Sequence, residues 1–346
     1  MPRNYSHPSR NRDAIQATQD RALHLRETTN LTLRQIAVEC GYINPTTGEP
    51  RPSTATESIR AARLRRDGRA TRIATTAVQT VANRVSGSLP SNRTFGIEAE
   101  FFGITRDTAK RALASVGIAS TIAGRQQTVP NWKLTTDGSV TSIGTGEGIG
   151  LELVSPILRG WAGMEEAMKA LKALTDAGAK VDSSCGLHIH LGADGMNGAD
   201  LMRVVDLYTA NTASIRQLVA NSRVNSQWCR DWTPSTINSS DIRNIRTLNT
   251  NRDLRQAVAH TGRYHTVNLE AYTKHGTIEF RQHQGTLNGK KLLNWVKFVM
   301  ALTEFSNANP NAGAFTDLNA MLTGIGLDSE SVNYLGNRAS QLAVRR

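Results

Sequence analysis

Four short segments share one alternation, and it constrains the fold of this 346-residue chain more than any other feature. In Phe95-Gly96-Ile97-Glu98-Ala99-Glu100-Phe101 two glutamates stand two apart among apolar residues. Leu151-Glu152-Leu153-Val154, Gly186-Leu187-His188-Ile189-His190-Leu191 and Thr277-Ile278-Glu279-Phe280-Arg281 repeat the pattern. Side chains along a β-strand point alternately to opposite faces. Each segment therefore reads as a strand with one apolar face and one face of Glu, His or Arg. Half-exposed antiparallel strands alternate by default, but their outer faces ordinarily mix Thr, Lys and Ser with scattered charge. If these four strands adjoin, four carboxylates crowd together, and each disfavours ionisation of the next. A bound cation resolves that conflict, and oxygen-rich ligation with one or two imidazoles suits Mg²⁺ or Mn²⁺.

Around these segments the pattern predicts strands at 94–103, 149–154, 186–191, 265–270 and 276–281. Helices are expected at 106–116, 161–177, 199–221, 289–307 and 328–342. Short strands interleaved irregularly with long helices indicate an α+β fold rather than a regular βαβ series. A hydrophobic fraction of 39% and a mean hydropathy of -0.37 fit a soluble chain with a real core. No stretch of 18 apolar residues occurs, so no membrane span is expected, and Met1-Pro2-Arg3-Asn4-Tyr5 lacks the apolar run of a signal peptide. Three scattered cysteines, Cys40, Cys185 and Cys229, do not make a disulfide framework. The expectation is a cytoplasmic protein with reduced thiols.

The charge is uneven. Residues 1–94 hold 15 Arg and no Lys against 7 acidic residues, whereas residues 95–346 hold 26 Lys and Arg against 22 acidic residues. Such asymmetry suggests DNA or another polyanion as partner of the first segment, although a GC-rich coding sequence also enriches Arg. Residues 1–12 read as a disordered arm, 13–85 as a basic helical domain, 86–93 as a linker and 94–346 as the catalytic domain. Helical periodicity runs from Arg12 to Thr28. Thr32 can then cap a short helix, with Gln35 three residues on. Leu33, Ile36 and Ala37 share its apolar face, and Gly41 supplies the stop. After a loop with three prolines, a second helix begins near Ser53 and presents Arg60, Arg63, Arg65 and Arg66. The arrangement resembles a helix-turn-helix, with a longer connecting loop; the alternative is a small interaction module that never touches DNA.

Residues 95–305 resemble the amidoligase branch of the glutamine-synthetase-like carboxylate–amine ligases. The motifs stand in family order: Gly96-Ile97-Glu98-Ala99-Glu100, then Trp132 with Asp137-Gly138-Ser139, then Gly150-Leu151-Glu152-Leu153-Val154-Ser155-Pro156, then Cys185-Gly186-Leu187-His188-Ile189-His190. The last block is Arg263-Tyr264, Val267-Asn268-Leu269, Thr277-Ile278-Glu279-Phe280-Arg281 and Gly285-Thr286-Leu287-Asn288. The resemblance implies an antiparallel sheet funnel flanked by helices, holding ATP and Mg²⁺ or Mn²⁺, with a carboxylate and an amine as substrates. It implies Glu98, Glu100, Glu152, His188 and Glu279 as metal ligands and His190, Arg281 and Asn268 as nucleotide contacts. Arg281 and Arg263 become phosphate or carboxylate clamps, while Asp137 and Ser139 face the substrate. In this chemistry phosphorylation turns a poor electrophile into an acyl phosphate, and cations absorb the charge developing in transfer. Oligomers are compatible with it.

Other readings stay open. His188 and His190 could be satisfied core histidines or zinc ligands of a hydrolase, since His-x-His is also a zinc pattern. Cys185 could be a nucleophile or a small packed thiol. Gly144-Thr145-Gly146-Glu147-Gly148-Ile149-Gly150 lacks the Lys-Ser/Thr of a P-loop and reads as a turn. His265, His275 and His283 default to surface or supporting positions. The functional alternatives are a metal-dependent hydrolase and a DNA-binding regulator with a non-catalytic ligase-like domain.

Overall fold

The computed structural model describes residues 12–29, 31–56, 58–59, 62, 88–142, 149–233, 239–249 and 251–344. The chain divides into two compact units, Met1–Ser86 and Gly87–Arg346.

In the first unit, helix α1 (Arg12–Thr28) is followed by α2 (Leu33–Glu39). Thr32 caps α2 through a full capping box with Gln35, satisfying backbone donors that a helix start otherwise leaves orphaned. Gly41 ends the turn at φ +71, a conformation that favours glycine. The proline loop closes tightly, with Ile43 bridging Pro50 and Arg51 N donating to the Tyr42 carbonyl at 2.7 Å. Helical backbone resumes at 52–56. Ala22, Leu23, Ile36, Ala37, Ala55 and Ile59 form a small core. Arg60, Arg63, Arg65 and Arg66 lie outside the described residues.

The second unit is built on one seven-stranded sheet, ordered β2-β3-β4-β1-β5-β7-β6. The strands are β1 (Phe95–Phe101), β2 (Ser120–Ile122), β3 (Trp132–Asp137), β4 (Gly150–Val154), β5 (Gly186–Gly192), β6 (Val267–Asn268) and β7 (Thr277–Gln284). Every pair is antiparallel except β2 with β3. The helices are α3 (Arg106–Ser115), α4 (Gly160–Asp176), α5 (Gly198–Ala210), α6 (Thr212–Arg216), α7 (Asn221–Val224), α8 (Ser239–Thr247), α9 (Asn251–Val258), α10 (Ala271–His275), α11 (Gly289–Ala308), α12 (Leu318–Gly324) and α13 (Ser329–Ala343). The apolar strand face, including Ile97, Ala99, Leu151, Leu153, Ile189 and Phe280, joins Leu171 of α4, Val205 of α5 and Phe298 of α11 in one core. Burying that face leaves the Glu, His and Arg face free to form a site.

Four differences from the sequence reading have local causes. The sequence reading does not expect strands β2 and β3; Trp132-Lys133-Leu134-Thr135 alternates like its neighbours, but its polar face opens with Lys133 and Thr135 and reaches an acid only at Asp137. The expected helix 199–221 breaks at Asn211, whose Nδ2 donates to the Leu207 carbonyl at 2.8 Å while its Oδ1 accepts from Phe315 N at 2.8 Å. A buried Asn that bonds neighbouring backbone competes with the helical ladder. The strand expected at 265–270 keeps ladder pairing only at Val267–Asn268, because Asn268 Oδ1 accepts from Glu270 N at 2.9 Å and turns the chain. Finally, β7 runs past Arg281 to Gln284, with a register shift: Ile189 pairs Phe280, whereas Leu187 pairs His283. Two β7 residues, Arg281 and Gln282, thus oppose the single residue His188, as in a β-bulge.

Candidate active site

The sheet order brings the four acidic and imidazole strands side by side. On the polar face the register aligns Glu100 with Glu152, Glu98 with His188, and His190 with Glu279. Asn268 pairs Glu279 from the outer strand, and Thr135 pairs Glu152. Asp137 ends β3 on the same face as Thr135, two residues along. Residues spread from position 98 to 281 thus form one continuous polar surface across six strands.

Hydrogen bonds tie this surface together. His188 Nδ1 lies 3.1 Å from Glu98 Oε2 and 3.5 Å from Glu279 Oε1, and its Nε2 lies 3.7 Å from Glu100 Oε1. Glu100 Oε2 accepts from Gly186 N at 2.6 Å. His190 Nδ1 bonds Thr277 Oγ1 at 3.0 Å. Its Nε2, 3.3 Å from Glu98 Oε1 but without hydrogen-bond geometry, is buried and unsatisfied. Arg281 is buried and bonds Glu279, with Nε also donating to the Trp228 carbonyl at 3.3 Å. Asn268 Nδ2 donates to Glu279 Oε2 at 2.5 Å. With its Oδ1 spent on Glu270, Asn268 positions Glu279 and lines the pocket above it. At the opposite end Asp137 is buried, pairs with Arg125, and accepts from Ser139 N at 2.7 Å and Ser139 Oγ at 2.6 Å. Ser139 therefore holds Asp137 rather than standing free.

The electrostatics are polarised along the row. Burial raises the Glu98 carboxyl, but the hydrogen bond from His188 and the closeness of both imidazoles, His190 and His188, outweigh it and hold Glu98 well below the ordinary range. Burial likewise opposes Glu279, and Arg281 with His190 brings it below normal. His190 is raised: burial favours the neutral ring, yet Glu279 and Glu98 together win. Glu152 moves the other way. Burial first, then the charges of Glu98, Asp137 and Glu100, push it well above the ordinary carboxylate range against the opposing Arg125.

Among the described residues, three overlapping groups place potential ligand atoms within 4.8 Å of one another: Glu98, His190 and Glu279; Glu98, Glu152 and His188; Glu100, Asp137 and Glu152. The donor set fits a divalent cation. It is mostly carboxylate oxygen, it leaves one imidazole nitrogen without a partner, and it strains the ionisation of Glu152. The zinc reading finds less support, since none of these groups holds more than one imidazole or any thiol. Cys185 is poorly set up as a nucleophile: burial above all pushes its thiol up to about 12, and its Cβ packs where Gly285 has no side chain.

A small pocket of about 100 Å³ opens over the Glu98–His190–Glu279 end, and Arg281, Arg263, Lys274 and His275 also line it. Arg263 is exposed there, over the Tyr264 ring at 5.4 Å. A larger cavity, about 580 Å³, lies between Trp132, Pro156 and Glu165 and shares none of the candidate ligand groups; the smaller one is the candidate site. Of the unassigned histidines, His275 meets His190 edge-on with ring centroids 5.9 Å apart, whereas His265 and His283 are buried beside Trp232 and Trp295. Sequence reading missed Thr277, Arg125 and Lys274. Thr277 was within reach, since it shares the period-two face of Glu279 and Arg281; nothing marks Arg125 or Lys274. The glycine-rich turn at 143–148 lies outside the described residues.

No curated protein matches the chain. A family model described as "Putative amidoligase enzyme" matches residues 91–303, well over half of the sequence and all of the strands that carry the site. This chain belongs to that amidoligase family.

Proposed function

We propose that the second unit joins a carboxylate to an amine at the expense of ATP. The observation that carries this reading is the contiguous Glu98–Glu100–Glu152–His188–Glu279 surface with Arg281 at its end, in a chain of the amidoligase family. The open, mostly antiparallel sheet with one acidic face supports a glutamine-synthetase-like funnel. Divalent cations held by those five residues would neutralise the carboxylates and the phosphate oxygens they face. In the first step a carboxylate oxygen attacks the γ-phosphorus, ADP leaves, and an acyl phosphate forms. The amine nitrogen then attacks the acyl carbon, phosphate leaves, and nitrogen loses its proton. Arg281 and Arg263 steady the transferring phosphoryl group by charge-assisted hydrogen bonds. His190 and Asn268 border the nucleotide, and Asp137, held by Ser139, accepts the incoming ammonium. The basic first unit, which we read as helix-turn-helix-like and cytoplasmic, docks on DNA or another polyanion through its arginines.

The test is release of ADP and phosphate on adding paired carboxylates and amines with Mg²⁺. Glu98→Gln and Glu279→Gln should abolish that release while leaving thermal unfolding cooperative. Parent-level turnover in either variant, or hydrolysis of an amide or phosphoester without ATP, would overturn the proposal.

A further inference from the structure

One buried arginine in the second unit has no anionic partner among the described residues. Arg223, on the short helix α7, is buried to 3% exposure. Its Nη2 donates to the backbone carbonyl of Arg281 at 2.8 Å. Its Nε is buried and has no hydrogen-bond partner, and among the described residues the guanidinium makes no ion pair. Arginine stays protonated in proteins. An uncompensated buried charge of this kind is strongly unfavourable, so something nearby must offset it.

Gly186 shows what that is. The Cβ it lacks would stand 3.3 Å from Arg223 Nη2, 3.0 Å from His188 Nε2 and 3.5 Å from Glu100 Oε2. The guanidinium thus meets the carboxylate row on its polar face, in the space left by a glycine that shares that face with His188, near Glu100, which Gly186 N also bonds. It does not border the open pocket, which argues against direct contact with substrate. We propose that Arg223 is a positioning residue, a fixed counter-cation of the carboxylate row: it offsets Glu100 when no divalent cation is bound and lowers the affinity of the row for one. Attraction to Glu100 and repulsion of a divalent ion follow from one charge at one place, so both effects should vanish together. The second effect rests on the reading that the row binds divalent cations; the first does not.

Two measurements on the full chain separate them. Without divalent ions, Arg223→Gln should lower the melting temperature, and Arg223→Lys should recover most of the loss. Adding Glu100→Gln to Arg223→Gln should raise the melting temperature again, because the unpaired carboxylate goes. Additive losses in the double variant would mean that Arg223 matters only for its bond to the Arg281 carbonyl, and would overturn the proposal. In the second measurement, Mn²⁺ titration followed by electron paramagnetic resonance should show at least tenfold tighter binding to Arg223→Gln than to the parent. Merely loosened structure would weaken binding. Equal or weaker binding in the variant overturns the inference, whereas a parent that binds no Mn²⁺ overturns the metal reading and leaves the double-variant result to decide the Arg223–Glu100 pairing.

Discussion

Replacing Glu152 with Gln tests whether the row is built for a cation that the apo protein must do without. Glu152 is 6% exposed and belongs to two of the three ligand groups, sharing one with Asp137 and Glu100 within 4.8 Å. At that separation two unit charges repel by about 3 kcal/mol at an effective dielectric near 20. Proton uptake limits the total. From an ordinary value of 4.5, protonating one carboxylate at about pH 7.5 costs roughly 4 kcal/mol, and the apo protein pays no more than that. Glutamine keeps the shape and removes the charge. The apo variant should therefore be more stable than the parent by about 1–4 kcal/mol, a rise of a few degrees to about 10 °C in melting temperature for a unit of this size. The sign with pH follows from the raised value. Folded Glu152 holds a proton that the unfolded chain releases above 4.5, so the parent loses stability as pH rises past that point. The advantage of the variant should grow with pH and disappear below the ordinary carboxylate range. Divalent ions should reverse the order: at 100 times the dissociation constant a bound ion stabilises by about 2.7 kcal/mol, and the variant should lose most of that shift. Scanning calorimetry after chelation and again with Mn²⁺ reads both effects. A variant that melts below the parent without cation, or that keeps the full Mn²⁺ response, would refute the like-charge account.

Three further outcomes are expected. Cys185, with its thiol pushed up to about 12 by burial, should resist iodoacetamide in the folded protein and react readily in urea; mass spectrometry of the labelled peptide decides. His283, buried against Trp295 and lowered to about 3 by burial, is neutral when folded, while the unfolded chain takes up a proton near 6.5. Its contribution is present above that value and lost as pH falls toward 3, so between about pH 7.5 and 5.5 His283→Gln should lose about 1.4 kcal/mol less stability than the parent in urea titrations. Deleting residues 1–86 should spare ATP turnover and weaken salt-dependent DNA retardation; equal retardation by the truncated chain would remove the first unit from any nucleic-acid role.

The face-sharing of Glu98 with Glu100, of His188 with His190 and of Glu279 with Arg281 was legible because strand periodicity is local. Their convergence was not, since strand order depends on long-range pairing. The resemblance bridged that gap, and the β4-β1-β5-β7 adjacency then supplies a geometric reason for the residue types. What escaped the sequence was mostly determined by partners far along the chain. Arg125 becomes informative only once it meets Asp137, and Arg223 only once its neighbours prove to be a carbonyl and a gap at Gly186. Asn211 and Asn268 look like ordinary polar residues within regular elements, yet each ends its element through its own side-chain bonds.

The interleaved strand order has a consequence for how the molecule comes into being. The central strand, β1, is made first and finds its two neighbours about 50 and 90 residues later, while β7 arrives last on the far side of β5. Pairings this distant are slow to form, and a chain emerging from the ribosome holds only part of the row until β7 appears. A nascent or truncated chain ending before Glu279 would carry most of the acidic cost of the site without Arg281. On the cation reading proposed above, two of the three ligand groups are complete by His188, so an ion would relieve that cost before β7 pairs.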